Sequence, residues 1–255
     1  LAQAFSVALY TIGFAESLVQ VFPMLSQTLV ALVTTVLVAV LALKSADIAI
    51  KAQYLIMAAI VLSLVSLLLG HGVEPTALPA DEVPGTVGFW AVLAVFFPAV
   101  TGIMAGVNMS GDLKDPQRSI PAGTLAAIGV GYIIYMGIPI LLSQWADPFT
   151  LVAEPLVMRR MARWGDVILL GVWGATLSSA IGSILGAPRV LQALARDGIL
   201  PAWLRWLGRG AGPMDEPRLG TWFTLGIALA AVMIGDLNLI APVLTMFFLT
   251  TYLVL

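Results

Sequence analysis

The chain has 255 residues, of which 60% are hydrophobic and only 10% are charged, and its mean hydropathy is +1.01. This composition excludes a soluble globular protein, and the absence of cysteine excludes disulfides and thiolate metal sites. The net charge of −2 comes without a basic stripe, so we predict no nucleic-acid partner.

Apolar runs recur along the whole chain and predict eight membrane-spanning helices. Each run is close to the roughly 20 residues that a helix needs to cross a bilayer. We therefore expect an all-α integral membrane protein. Because the first and last residues both lie inside apolar runs, we also expect an internal fragment of a longer transporter. The predicted spans are 1–22, 25–43, 48–69, 87–109, 120–142, 167–187, 219–235 and 239–255.

The positive charges predict the orientation of these spans. Nine of the twelve Lys and Arg residues fall in alternate loops, which the positive-inside rule assigns to the cytoplasm. The loop 71–86 then lies outside the cell. The only histidine, His71, stands there in a glycine-flanked turn, where we expect an ordinary surface residue.

Polar residues inside the first and last spans are candidates for function. Tyr10 lies in the middle of the first span and Tyr252 lies late in the last, and each phenol needs a hydrogen-bond partner in lipid. Glu16 lies about one turn from the outer end of its span. A cation site and an interfacial role remain alternatives for this carboxylate.

The fourth apolar run is broken in its middle by Pro98, Thr101, Gly102 and Gly106. A helix that breaks inside a membrane must line a polar cavity or be buried in protein, because lipid offers no partner for its backbone. A carbonyl group freed by Pro98 can hold a cation, and the N–H groups that start the next half-helix can hold an anion. The run therefore predicts a transport site.

The segment 111–121 after the break is charged and rich in turn-forming residues. Ser119 stands two residues before Pro121, which is typical of the start of a helix. The segment either caps that helix or forms an inner gate whose charges pair when the site closes, and both interpretations stay open.

The sixth span carries two hydroxyl groups on one helical face. Ala175, Ser178 and Ser179 follow the i, i+3, i+4 spacing that places residues on the same side of a helix. Two hydroxyls and a carbonyl suit a small hard cation, whereas small residues at this spacing also favour close helix packing. No span holds a histidine or a nucleophile beside its base, so we predict neither an enzyme nor a cofactor.

Four groups of segments, in the correct order, resemble the cation-chloride cotransporters of the amino acid, polyamine and organocation superfamily. The resemblance covers nearly the whole chain and corresponds to the third to tenth spans of that family. It implies two five-helix repeats of inverted topology, with broken helices at the midplane. Residues 1–70 would then be three spans of the first repeat, 71–86 an extracellular loop, and 87–255 the five spans of the second repeat. The segments are 8–16; 96–106, 108–113 and 115–116; 175–180, 187–194 and 197–201; and 239–242 and 247–252.

The resemblance also implies three ion sites, which draw on the broken span and on tyrosine or serine hydroxyls. It implies that potassium and chloride bind side by side and neutralise each other, without a buried acidic residue. The implied residues are Tyr10, Pro98 and Thr101 for potassium; Gly102, Ile103, Met104 and Tyr252 for chloride; and Ala175, Ser178 and Ser179 for sodium.

The resemblance favours sodium-potassium-chloride cotransport. The potassium-chloride branch typically lacks the pair Ser178 and Ser179, and the sodium-chloride branch typically carries histidine where Tyr10 stands. The short outer segment 143–166 is typical of a prokaryotic-type relative. We expect a multi-pass transporter of the plasma membrane. Its partners would be membrane lipid and the three transported ions, and we expect that two copies of the chain can form a homodimer. The alternative is an amino acid or organic cation permease, with a substrate carboxylate in place of chloride.

Overall fold

The computed structural model describes residues 1–44, 46–75, 87–108, 110, 113–212 and 215–254. Within these ranges the chain is helical, apart from turns, irregular connections and one isolated antiparallel bridge between Ala211 and Glu216. The α-helices, numbered in chain order, are α1 (Ala2–Val21), α2 (Gln27–Lys44), α3 (Ala46–Leu68), α4 (Phe89–Phe96), α5 (Ala105–Asn108), α6 (Pro116–Trp145), α7 (Pro148–Ala153), α8 (Val157–Met161), α9 (Gly165–Arg196), α10 (Arg218–Val232) and α11 (Leu237–Val254).

Six described helices, namely α1, α2, α3, α6, α9 and α11, are long and apolar enough to cross a membrane. The other two predicted spans form shorter apolar helices, Phe89–Val100 and Arg218–Val232. The first is short because its span is broken, and the second ends before Gly235, which has a positive φ of 74°. The predicted all-α membrane fold is therefore confirmed.

Helix α1 lies at the centre of the packing and contacts α2, α9, α10 and α11. Its buried face carries Ala4, Ala8 and Ala15, and such small residues let neighbouring backbones approach closely in a membrane. A hydroxyl pair crosses the interface to α2, where Thr35 Oγ1 donates to Thr11 Oγ1 at 2.9 Å. This central position makes α1 a suitable platform for a functional side chain.

A second packed cluster joins α3, α8 and α9 at the predicted outer side. The Ser66 hydroxyl donates to the Trp164 carbonyl at 3.0 Å and accepts the Trp164 N–H at 2.9 Å. The outer segment 143–166 thus contains two short helices, α7 and α8, that dock on the end of α3. Residues 76–86 of the predicted extracellular loop lie outside the described residues, and the division into repeats stays a prediction.

Two predicted boundaries are wrong. Helix α6 begins at Pro116 instead of Ser119, because Asp115 caps it by accepting the Arg118 N–H at 3.4 Å. Helix α9 continues nine residues beyond the predicted end at 187. It runs through Pro188, which is fully buried against α10, so tertiary packing offsets the lost backbone hydrogen bond.

Candidate functional site

The fourth span breaks at the predicted position. Helix α4 passes into a 3₁₀ turn over Phe97–Val100, and Thr101 is extended, with φ −85° and ψ 174°. Gly102 follows with φ +106°, a conformation that favours glycine because it has no Cβ. The helix resumes at Ala105 as α5. Backbone groups near Thr101 and Gly102 are therefore freed from regular helix.

The three residues predicted to bind potassium come together at this break. Thr101 Oγ1 donates to the Pro98 carbonyl at 2.7 Å, and the Tyr10 phenol approaches the Thr101 side chain from α1. The cluster consists of a carbonyl, an alcohol and a phenol, all of them neutral oxygens. Rings of neutral oxygens can replace the hydration shell of potassium, so the chemistry of the cluster fits a monovalent cation.

The residues predicted to bind chloride lie on the other side of Thr101. The Gly102 N–H donates to the Tyr252 phenolic oxygen of α11 at 3.3 Å. The first hydrogen bond of the resumed helix runs from Ala105 N–H to the Gly102 carbonyl at 3.0 Å. The N–H groups of Ile103 and Met104 precede it, and such leading N–H groups have no partner within their own helix. Together they form a set of donors suited to an anion.

The structure adds a third phenol that the sequence reasoning missed. The Tyr135 hydroxyl of α6 donates to the Ala99 carbonyl at 2.6 Å. The rule that drew attention to Tyr10, a phenol within an apolar run, applies equally to Tyr135. Its contact with the break depended on the position of α6, which the sequence does not reveal.

A cavity of about 810 Å³ lies between the break and α6. Helix α6 buries none of its residues within the described structure, and it forms one wall of this space. The lining is mostly apolar, with Thr101, Ser119, Thr124, Tyr132 and Tyr135 as polar groups. Volumes of this order accommodate small organic molecules as well as hydrated ions.

The residues predicted to bind sodium form a separate cluster on α9, where Ala175, Ser178 and Ser179 are half-buried. The Ser178 hydroxyl donates to Oε1 of Gln53 on α3, and Gln53 Nε2 donates to the Ser178 carbonyl at 3.3 Å. The sequence reasoning missed Gln53. It could have been found as the only amide side chain in the third apolar run, because polar side chains inside membrane helices are costly and often functional.

Over the described residues, no group of three or more His, Cys, Asp or Glu side chains converges in a way that could hold a metal ion. The polar groups at the break and on α9 are instead hydroxyls, carbonyls and backbone N–H groups. Uncharged polar groups of this kind suit monovalent ions, or the polar ends of an organic solute.

The chain is similar to known proteins over nearly its whole length. The sequence matches the family model described as "Amino acid permease" over residues 1–255. It is 34% identical to mouse "Solute carrier family 12 member 8" over 268 residues, which cover 98% of this chain and 38% of that protein. The human protein of the same name is 34% identical over 269 residues, with 98% and 37% covered. Zebrafish "Solute carrier family 12 member 2" is 31% identical over 316 residues, with 98% and 28% covered. The chain thus spans less than two fifths of the length of these curated relatives.

Proposed function

The chain belongs to the amino acid permease family, and from that membership we propose that it couples the movement of chloride to that of sodium and potassium by alternating access. The predicted resemblance to the cation-chloride cotransporters, which form solute carrier family 12, is confirmed by the relatives matched. The family is one of transporters, in agreement with the prediction that the protein is not an enzyme. A plasma-membrane location and a homodimer are part of the proposal.

The observation that carries the proposal is the two-sided chemistry of the break. Oxygen atoms of Tyr10, Pro98 and Thr101 gather on one side, and N–H groups from Gly102 onwards gather on the other. Oxygens attract a cation and N–H groups attract an anion. Opposite charges at short range stabilise each other strongly where water is excluded. Binding of potassium would then favour binding of chloride, and the pair would cross without net charge.

We propose that sodium binds at Ala175, Ser178 and Ser179. The three residues share one face of α9, and α9 packs against both α1, which carries Tyr10, and α5, which follows the break. A cation on α9 is therefore in position to influence how these elements pack. We also propose that residues 1–70 complete part of the first repeat and that 87–255 form the second.

A second candidate function is a permease for an amino acid or an organic cation. The cavity of about 810 Å³ beside the break favours it, because a single chloride ion needs far less space. In this case a substrate carboxylate would take the N–H groups at Gly102, Ile103 and Met104. The rest of the solute would occupy the mostly apolar space towards α6.

Uptake of radioactive rubidium, a potassium substitute, into liposomes that contain the purified protein tests the first proposal. We expect uptake that requires sodium and chloride together outside the vesicles. The matched control replaces sodium by N-methylglucamine and chloride by gluconate, one at a time. Uptake that persists unchanged after either replacement would overturn the proposed coupling.

Thermal unfolding of the purified protein in detergent distinguishes the two candidates. A ligand that binds only the folded state raises the unfolding temperature, and the rise grows with the ligand concentration relative to its dissociation constant. Stabilisation by chloride in the presence of potassium supports the cotransporter. Stabilisation by an amino acid, with none by chloride, supports the permease.

A further inference from the structure

Hydroxyl groups in the helices of this chain usually donate to the backbone of their own helix. Ser6, Thr11, Ser17 and Thr176 each donate to a carbonyl three or four residues earlier, at 2.8–3.0 Å. This is the ordinary arrangement for serine and threonine inside a helix, because it satisfies the hydroxyl locally.

Ser178 departs from this arrangement, since its hydroxyl leaves α9 and donates to Gln53 on α3. The departure has a consequence for the Ala175 carbonyl, which lies three residues before Ser178 and four residues before Ser179. If either serine donated to its own helix in the usual way, it could occupy this carbonyl. Within the described residues, neither serine donates to Ala175, so the carbonyl has no hydroxyl bound to it.

The orientation of the Gln53 amide follows from its second contact. Gln53 Nε2 lies 3.3 Å from the Ser178 carbonyl. A carbonyl can only accept, so the amide nitrogen must face it, and Oε1 must then face the Ser178 hydroxyl. Because Oε1 can only accept, the hydroxyl hydrogen points to α3. The lone pairs of Ser178 Oγ are thereby kept for another partner.

We propose that Gln53 is the positioning residue of the sodium site: it holds the Ser178 hydroxyl away from its own helix and so keeps Ala175 O and Ser178 Oγ open to a cation. The inference rests on the sodium site proposed above and adds a residue on a different helix. A bound cation withdraws electron density from the Ser178 oxygen, which strengthens the hydrogen bond to Gln53. Sodium binding would therefore tighten the contact between α3 and α9, which already pack along much of their lengths.

The substitution Gln53→Met tests the proposal, because it keeps the length of the side chain and removes both hydrogen bonds. Ser178 can then donate to Ala175 O in the ordinary way, and the cation must compete with that bond. We expect the sodium concentration for half-maximal rubidium uptake to rise about three- to tenfold, the effect of roughly one hydrogen bond. The concentrations required for potassium and chloride should stay unchanged.

Thr176→Val is the matched control, because the Thr176 hydroxyl lies next to the cluster but donates to Val172 and Trp173 within α9. It should leave the sodium dependence unchanged. Gln53→Asn is a second variant in case Gln53→Met does not fold. It keeps an amide that is one methylene too short, and it should shift the sodium dependence in the same direction.

A double-mutant cycle separates positioning from a general effect on folding. If Gln53 acts through Ser178, then Gln53→Met should add no further shift to Ser178→Ala. Shifts that simply add would overturn the proposed mechanism. If rubidium uptake by the unsubstituted protein does not depend on sodium, the sodium site itself is overturned. Sodium-dependent uptake that neither Gln53 variant alters would overturn this inference and leave the proposed cotransport intact.

Discussion

The Tyr252 phenol accepts the backbone N–H of Gly102, with 3.3 Å between oxygen and nitrogen. Both groups are donors that would face a bound anion, so the phenolic oxygen here takes the N–H that chloride would use. In the chloride site proposed above, binding of the ion would require this bond to open, so that the N–H and the phenolic O–H could both point to the ion. Under that proposal, the Gly102–Tyr252 hydrogen bond would mark the empty anion site and its opening the occupied one.

We predict that Tyr252→Phe weakens the chloride dependence of transport, because it removes the phenolic donor to the ion. A hydrogen bond to a charged group contributes about 1.5–3 kcal/mol, so the chloride concentration for half-maximal rubidium uptake should rise at least about tenfold. Tyr54→Phe is the control, since that phenol is largely exposed on α3 and does not line the cavity beside the break. An unchanged chloride dependence for Tyr252→Phe would contradict the proposed chloride site.

Tyr10→Phe should act on potassium instead. It removes the phenolic oxygen that approaches Thr101 and keeps the aromatic packing in the core around α1. We expect the potassium concentration for half-maximal uptake to rise about three- to tenfold, with the sodium dependence unaltered. Tyr54→Phe, at a mostly exposed phenol on α3, should behave like the unsubstituted protein. Equal potassium dependence in both variants would contradict the assignment of Tyr10 to the potassium site.

Local chemistry explains which parts of the site the sequence could predict. The break was predictable because Pro98 and Gly102 impose their backbone preferences wherever they stand. Gln53 and Tyr135 escaped because their roles depend on which helices become neighbours. Their partners, Ser178 and Ala99, lie 125 and 36 residues away in the chain. A single sequence carries no direct record of such distances.

The boundary of α9 shows the same limit in the fold. The predicted span ends with its apolar run, just before Pro188, and proline usually disfavours a helix interior. In the structure Pro188 is buried against Gly220 of α10, where an added Cβ would lie 3.1 Å from its ring. Packing between the two helices thus overrides the local preference.

Gly102 and Gly106 give a matched test of the break. A Cβ at either position would meet nothing within 4 Å, but only Gly102 has a positive φ, at +106°. We predict that Gly102→Ala lowers the free energy of unfolding by at least about 1–2 kcal/mol, the cost of forcing a side chain into this region. Gly106→Ala, within α5, should be neutral or slightly stabilising. Equal unfolding temperatures in detergent for the two variants would contradict the strained geometry at Gly102.

Gly70 tests the docking of the outer helices. A Cβ there would lie 2.0 Å from the Met161 carbonyl oxygen, which already accepts the His71 N–H at 2.9 Å. Gly70→Ala must push α8 away from the end of α3, and overpacking of this kind costs about 1–3 kcal/mol or more. Gly88→Ala, where a Cβ meets nothing within 4 Å, is the control. Hydrogen exchange of the His71 amide should rise only in Gly70→Ala, and equal protection in both variants would refute the close contact.

The ion pair between Asp215 and Arg196 predicts that the loop around Asp215, on the predicted cytoplasmic side, is sensitive to acid. Both terminal guanidinium nitrogens of Arg196 contact its carboxylate, at 2.7 and 2.8 Å, and this holds the pKa of Asp215 below its usual value. A carboxylate whose folded pKa is lowered stabilises the fold fully above its unfolded pKa, which is about 4. That stabilisation is lost as the pH falls through the lowered folded value. The bridge between Ala211 and Glu216 should therefore loosen below about pH 4.

Asp215→Asn should loosen the same bridge already at neutral pH and remove most of the acid sensitivity. Asparagine tolerates the positive φ of 54° at this position, so the substitution changes the charge without straining the backbone. Hydrogen exchange of the Ala211 and Glu216 amides, corrected for the intrinsic effect of pH, measures both changes. Asp166→Asn, which breaks the ion pair with Arg159 at the other end of α9, is the control and should leave these amides protected. Protection in Asp215→Asn that equals the control at neutral pH would show that the Arg196 pair does not hold the loop.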